Sequence, residues 1–160
     1  MIHPSIPELA AALQRNARLA GLDLGEKTIG IAIGDPGHMV ASPLTTIRRT
    51  KFTPDAKALL KLMDERGIGG LVIGLPLNMD GSEGPRCQSV RQFAENLMLL
   101  REIPIAFWDE RLSTMAVTRG MIEADLTRAK RAKIVDQSAA AFILQGALDR
   151  LARRTGAPDE

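Results

Sequence analysis

The chain has little of several residue types, and each shortage removes a class of function. Its 160 residues contain one cysteine, two histidines, one tryptophan, four phenylalanines and no tyrosine. A single cysteine, Cys87, excludes an intrachain disulfide and a cysteine-based metal cluster. His3 and His38 lie near no other ligand type, which leaves a Ser–His–Asp or Cys–His mechanism without candidates. With so few aromatic rings, any nucleic-acid binding should depend on phosphate contacts and shape rather than on base stacking.

Long apolar runs and a strong net charge are also missing. No apolar stretch approaches the roughly 20 residues that a membrane helix requires. Residues 1–18 carry Glu8, Arg15 and Arg18 among short apolar pieces, not the apolar core of a signal peptide. These absences predict a cytoplasmic protein with no membrane partner. The net charge is +2, 45% of the residues are hydrophobic and 25% are charged, which is typical of one globular domain with a proper core.

Hydrophobic periodicity and turn signals predict an α/β fold. The expected organisation is an N-terminal helical extension (1–18, helix over 5–18), one domain (19–154) and a tail (155–160). Strands are predicted at 19–24, 28–34, 44–49, 71–75 and 105–108, and helices at 54–66, 85–101, 113–124 and 135–153. Three consecutive strands favour an antiparallel meander, and the later alternation with helices favours parallel crossovers. The expected result is a mixed five-stranded sheet flanked by helices, with ligands at the carboxyl ends of its strands.

Three separated acidic residues lie at the edges of apolar elements. Asp23 is inside the apolar strand of GLDLGEKTIGIAIG, Glu110 follows the apolar run IAFW, and Asp136 opens the last predicted helix. An ionised carboxylate in such a position is costly unless a cation, a set of donors or water compensates it. Oxygen ligands without Cys or His suit Mg²⁺ or Mn²⁺. The pattern therefore suggests a divalent-metal site.

Asp23 and Glu110 also have ordinary structural explanations. Asp23 with Gly25 is common turn chemistry. Side chains alternate along a strand, so Asp109 and Glu110 cannot both point into one pocket unless the strand has ended. Either of these two acids could instead pair with Arg111 at the exit of the strand. Both explanations stay open at the level of the sequence.

Asp136 has two equally favoured interpretations. It shares a helical stripe with Ala140 and Ile143, which predicts that it faces the sheet near the strand ends, where a metal could neutralise it. Aspartate is also among the best N-cap residues, so Asp136 could simply cap the helix.

Two polar segments are candidates for substrate contact. The loop NMDGSEGP joins a strand to a helix at the proposed ligand edge, where loops often carry function. The run TRAKRAK is a plausible contact for a phosphate backbone. The alternatives are an ordinary mobile loop and a solvated basic loop. The side chains predicted to contact substrate are Lys27, Asn78, Asp80, Ser82, Arg111, Arg128, Lys130, Arg131 and Lys133.

Four blocks in order resemble the YqgF family, also described as RuvX-like. They are GLDLGEKTIGIAIG, VIGLPLNMDGSEGP, WDERLST and KIVDQSAAAFIL, and the resemblance covers about residues 19–151. It implies a ribonuclease-H-like fold and a nuclease, either in 5′-end maturation of pre-16S ribosomal RNA or as a Holliday-junction resolvase. It also implies that Asp23, Glu110 and Asp136 are the catalytic, metal-binding acids. Many ribonuclease-H-like nucleases carry the second acid in the fourth strand, which here reads Ile73-Gly74-Leu75, so this acid must come from the fifth.

The resulting hypothesis is phosphodiester hydrolysis at a two-metal site that holds Mg²⁺ or Mn²⁺, with Asp23 as a bridging ligand. Structured RNA is the preferred partner, a DNA junction is the alternative, and the chain is expected to be a monomer or a homodimer. A resolvase that cuts two strands usually acts as a symmetric dimer. A nucleic-acid-binding protein that does not cleave is a rival. So is an actin-like phosphate-binding protein, since DLGEKT resembles its phosphate hairpin, although 160 residues are expected to be too few for the second domain that closes over a nucleotide.

Overall fold

The computed structural model describes residues 1–112 and 128–155, and the side chains of residues 1–112 and 139–152. Its elements are, in chain order, α1 (Ile6–Ala12), β1 (Arg18–Leu24), β2 (Thr28–Gly34), β3 (Ala41–Arg48), α2 (Phe52–Arg66), β4 (Ile68–Leu75), α3 (Pro85–Leu100), β5 (Ile105–Asp109), a 3₁₀ turn (Glu110–Leu112) and α4 (Arg128–Thr155). The helix predicted at 113–124 lies outside these ranges. No helix within them has the length and apolarity to cross a membrane.

The five strands form one mixed sheet in the order β3-β2-β1-β4-β5. β1 pairs with β2, and β2 with β3, in antiparallel register, whereas β1, β4 and β5 are parallel. The predicted mixed five-stranded sheet is therefore confirmed. Because β1, β4 and β5 are parallel, they all end at the same side of the sheet, which we call the carboxyl edge.

Side-chain alternation divides the core into two layers. One face of the sheet is covered by α2 and α3 and is filled by large residues such as Leu22 and Ile73. The other face, which we call the α4 face, is covered by α1 and α4 and carries small residues such as Gly21. A Cβ atom on Gly21 would lie 2.7 Å from the carbonyl oxygen of Ala140. Glycine at this position therefore allows α4 to lie close against β1.

The N-terminal helix is shorter than the predicted 5–18. It ends at Ala12, Leu13 is extended, and Asn16 adopts a left-handed conformation with φ 66° before β1 begins. Leu13 and Ala17 still pack against glycines at the start of β4, but from irregular backbone. Their helical spacing in the sequence therefore reflects burial, and the prediction of continuous helix was wrong.

The last helix begins at Arg128 rather than at about residue 135. Residues 128–133, which read RAKRAK, are good helix formers, so this part of the predicted loop is helical. Asp136 consequently lies inside α4, and its interpretation as an N-cap is wrong.

Candidate active site

Asp23 lies on the α4 face, and its neighbours on the two adjacent strands are both glycines. Asp23 is on the α4 face because one residue separates it from Gly21 along β1. Its partner on β2 is Gly30. On the other side, the β1–β4 register pairs Leu22 with Ile73, so the next position of β4, Gly74, lies beside Asp23. No side chain from these two neighbouring positions covers the half-buried carboxylate.

The position of Asp23 also argues against its explanation as a turn residue. The hairpin is closed by the Gly25 N–H, which donates to the carbonyl oxygen of Thr28 at 2.9 Å. Asp23 lies two residues earlier, paired with Gly30 within the ladder. It is therefore a strand residue rather than a turn residue.

Glu110 reaches the same place from the end of β5. It opens the 3₁₀ turn, and its side chain folds back over β4, where Cγ and Oε2 both lie 3.0 Å from the position that a Cβ of Gly74 would take. Gly74 and Asp23 are neighbours on adjacent strands, which are about 4.8 Å apart. The Glu110 carboxylate therefore lies over the position next to Asp23, and the missing side chain at Gly74 leaves room for it.

Arg111 pairs with Asp109. Its guanidinium donates to both carboxylate oxygens of Asp109, with the shortest distance 2.6 Å from Nη2 to Oδ2, and its backbone N–H donates to Oδ1 at 2.9 Å. The Arg111 side chain, by these hydrogen bonds above all, lowers the pKa of Asp109. The ion pair that the sequence assigned to either acid is thus formed by Asp109.

The loop between β4 and α3 is held together by the polar residues predicted to contact substrate. Asn78 Nδ2 donates to Ser82 Oγ at 3.0 Å, and Ser82 donates to Asp80 Oδ1 from its hydroxyl at 2.6 Å and its backbone N–H at 2.9 Å. The bond from the Ser82 side chain is the largest cause that lowers the pKa of Asp80. Arg111 Nη1 donates to the carbonyl oxygen of Met79 at 3.2 Å, which anchors this loop beside the acids.

The N-terminal half of helix α4 is directed toward the carboxyl edge. A Cβ on Gly34 would contact Leu144 and Leu148, whereas one on Gly21 would contact Ala140 and Leu144, so α4 runs antiparallel to β1. Residue 136 lies one helical turn before Ala140, about 6 Å further along α4 toward the carboxyl edge.

The remaining predicted site residues are placed less completely. Lys27 is exposed in the turn between β1 and β2. The side chains of four predicted phosphate contacts and of the third acid lie outside the described residues; these are Arg128, Lys130, Arg131, Lys133 and Asp136.

Two carboxylates of the described side chains, those of Asp23 and Glu110, lie over neighbouring positions of the sheet, and the described side chains contain no group of three metal-binding residues. Neighbouring carboxylates are stabilised by positive charge near them. Their hard oxygen atoms fit Mg²⁺ or Mn²⁺. The contribution of Gly74 was not foreseen; a glycine in the middle of the apolar run LVIGLP is a signal of close approach by another group.

The profile of the RuvX family, described as "Holliday junction resolvase", matches residues 17–150. The chain belongs to the RuvX family. Two curated relatives are each named "Putative pre-16S rRNA nuclease". The protein from Phenylobacterium zucineum is 66% identical over 146 residues, covering 90% of this chain and 94% of the relative. That from Paramagnetospirillum magneticum is 63% identical over 142 residues, covering 89% and 92%. The resemblance predicted from the motifs is confirmed.

Solved structures share the fold of this RuvX-family chain at low sequence identity. RuvC of T. thermophilus in complex with a Holliday junction substrate superposes with a TM-score of 0.54 and 12% identity, covering 87% of this chain and 96% of RuvC. The yeast mitochondrial Holliday junction resolvase Ydc2 gives 0.50 and 11%, covering 92% and 85%. These similarities confirm the predicted ribonuclease-H-like fold.

Proposed function

We propose that this RuvX-family protein is a metal-dependent nuclease that hydrolyses phosphodiester bonds in 5′-end maturation of pre-16S ribosomal RNA. The observation that carries the proposal is the Glu110 carboxylate lying over Gly74 beside Asp23. The names of the curated relatives support the substrate.

In this proposal Asp23, Glu110 and Asp136 hold two Mg²⁺ or Mn²⁺ ions. When bound, such ions stabilise the charge that develops on phosphodiester oxygens and make water a better nucleophile at neutral pH. The chain positions the ligands: the central strand β1 fixes Asp23, and Gly74 leaves room for Glu110. The Asp109–Arg111 pair holds the adjoining loop in place. The basic first turns of α4 bind the phosphate backbone in a salt-dependent manner.

The test is cleavage of a 5′-extended 16S precursor by the purified protein with Mg²⁺ or Mn²⁺. Loss of a group that merely supports a metal ligand costs about 10–100-fold, so Asp23→Asn and Glu110→Gln should each reduce the rate by at least about 100-fold. The control is Glu65→Gln, which removes an exposed carboxylate from α2 at the opposite edge and should cleave at the parent rate. Cleavage by Asp23→Asn as fast as by the parent would disprove the site.

A second candidate is resolution of DNA junctions, which the family description favours. A junction has two strands to cut, so this function favours a symmetric dimer. Cleavage of a four-way DNA junction in preference to precursor RNA, together with a dimeric mass in solution, would favour it. RNA binding without any effect of Mg²⁺ or Mn²⁺ would instead indicate a protein that does not cleave.

A further inference from the structure

A cavity of about 230 Å³ opens at the carboxyl edge, just beyond Asp23 along the chain. It is lined by the turn that follows β1, from Leu24 to Glu26, by Arg49, and by the first turns of α3, from Pro85 to Val90. Its two cations, Arg49 and Arg86, have no role in the site described above.

Both arginines are held by the same turn. Arg49 Nη1 donates to the carbonyl oxygen of Gly25 at 2.6 Å, and Arg86 Nη2 donates to that of Leu24 at 3.4 Å. The guanidinium of Arg49 also lies over the ring of Phe93, 5.9 Å from its centroid. Two consecutive carbonyl groups therefore bring two positive charges together.

Neither arginine is neutralised within the part of the chain that the structure describes. Glu26 lines the cavity but forms no ion pair with either one, whereas Arg91 and Arg101 are each paired with an acid. A guanidinium carries five N–H donors, so one carbonyl bond leaves most of them available. Arginine binds phosphate with two parallel hydrogen bonds, which makes phosphate the ligand that suits this pair.

We infer that Arg49 and Arg86 form a phosphate-binding subsite for the nucleic-acid strand that enters the active site. This inference rests on the proposed function. The cavity lies on the α3 side of the turn at Leu24 and Gly25, whereas Asp23 faces α4, so a strand whose scissile bond lies at Asp23 reaches the arginines by crossing the carboxyl edge. The turn lies about 7 Å beyond Asp23. The subsite therefore holds another phosphate of the same strand, apart from the acids and from the basic turns of α4.

The experiment measures binding of a fluorescent single-stranded RNA by anisotropy, in EDTA, between 50 and 200 mM KCl. The variant is Arg49→Gln with Arg86→Gln. The control is Arg15→Gln with Arg66→Gln, an equal charge change at exposed positions of the opposite edge. Loss of one phosphate contact should lower the slope of log affinity against log salt by about 0.7, with about tenfold weaker binding. A slope and affinity equal to those of the control would overturn the subsite.

Folding is checked by thermal unfolding, because Arg49→Gln also removes the contact with Phe93. If the double variant does not fold, RNA binding is measured with Arg86→Gln alone, since Arg86 is exposed on α3 and its substitution should not affect folding. About threefold weaker binding by Arg86→Gln supports the subsite, and binding equal to the parent overturns it.

The failure of this subsite is distinguishable from the failure of the nuclease function. Binding in EDTA needs no metal, so Asp23→Asn should bind RNA at least as well as the parent even where it does not cleave. A weaker salt dependence in the arginine variant, with a parent that cleaves nothing, supports the subsite and contradicts the nuclease. A second measurement uses inorganic phosphate and the melting temperature. Phosphate could raise the melting temperature of the parent but not of the arginine variant, while the two proteins bind RNA equally. This result would indicate a site for a small anion and would overturn the assignment to a nucleic-acid strand.

Discussion

On the face covered by α2 and α3, β1 and β4 present Leu22 and Ile73, neither of which is exposed to solvent. One residue along, on the α4 face, the same strands present Asp23 and Gly74. Burial of a large aliphatic side chain contributes about 1.5–3 kcal/mol, whereas glycine in a strand interior weakens it. Near the carboxyl edge the first face is therefore filled by large side chains that stabilise the fold. The second face, which is packed further from this edge at Leu19 and Val72, lacks side chains at Gly21 and Gly74 and so leaves room for a helix and for Glu110.

Ile73→Ala tests the first half of this comparison. Removing a large side chain from a tightly packed core should lower the free energy of unfolding by about 2–5 kcal/mol, measured by urea denaturation. Cleavage per folded molecule should stay within about twofold of the parent, because Ile73 faces away from the acids. A large loss of cleavage in protein that is still folded would show that the two faces are not independent.

Gly21→Ala tests how closely α4 must lie against β1. The new Cβ would lie 2.7 Å from the carbonyl oxygen of Ala140 and 2.8 Å from Cβ of Leu144. Because these are not flexible side-chain ends, the helix must shift, at a cost of about 1–3 kcal/mol. The shift also moves the backbone of residue 136 relative to Asp23, so cleavage should fall as well.

Gly34→Ala is the matched control for Gly21→Ala. Its Cβ would face the same helix, but at 3.7 Å from the nearest Leu144 atom and 3.4 Å from the carbonyl oxygen of Leu19, which are ordinary contacts. It should change stability by less than about 0.5 kcal/mol. Equal effects of the two substitutions in urea denaturation would contradict the requirement for close approach at Gly21.

Gly74→Ala should act on activity more than on stability. Its Cβ would lie 3.0 Å from Cγ and Oε2 of Glu110, and 2.5 Å from the flexible Cδ1 tip of Ile143. A displacement of 1 Å can cost about 100-fold in rate, so a shift of a few tenths of an ångström should cost about tenfold. Single-turnover cleavage at saturating metal measures it.

Ile143→Val separates the two possible causes, since valine lacks Cδ1. If Gly74→Ala remains about tenfold slow in the Ile143→Val background, the displaced Glu110 is responsible. Recovery of the parent rate in the double variant would show that pressure on α4, and not the position of Glu110, had limited the reaction.

The sequence predicted the sheet well because strand alternation and turn residues are local signals. It predicted the two helix ends poorly for physical reasons. Leu13 and Ala17 are half-buried at helical spacing without being helical. The charged run before Asp136 has no apolar period, although its residues favour helix.

The candidate site was predictable only in part. Asp23 and Glu110 were predicted from their apolar surroundings and from the family resemblance, and the structure places both at the carboxyl edge. The contribution of Gly74 depends on the register between β1 and β4 and on a side chain that folds back from beyond β5. Arg49 and Arg86 are far apart in the sequence and meet only because both bind the same turn. No spacing pattern signals such arrangements.

Asp109→Asn has the smallest expected effect. The Arg111 guanidinium lowers the pKa of Asp109, so the pair stabilises the fold above the ordinary pKa of the carboxyl, and this stabilisation is lost as pH falls through the lowered pKa. The stability difference between parent and variant, measured by urea denaturation across pH, should therefore be constant from pH 5 to 8 and shrink in stronger acid. Pairs near the surface contribute little, so we expect cleavage at pH 7 to fall by only about two- to threefold through loosening of the loop at Met79.

Asp64→Asn is the matched control for Asp109→Asn, because it breaks the exposed pair with Arg101 at the opposite edge. It should leave cleavage unchanged. Of two neighbouring acids, the structure gives Asp109 to the arginine and Glu110 to the space beside Asp23. If Asp109→Asn abolished cleavage while Glu110→Gln did not, this division would be reversed, and the catalytic acid at the end of β5 would be Asp109, the one that now binds Arg111.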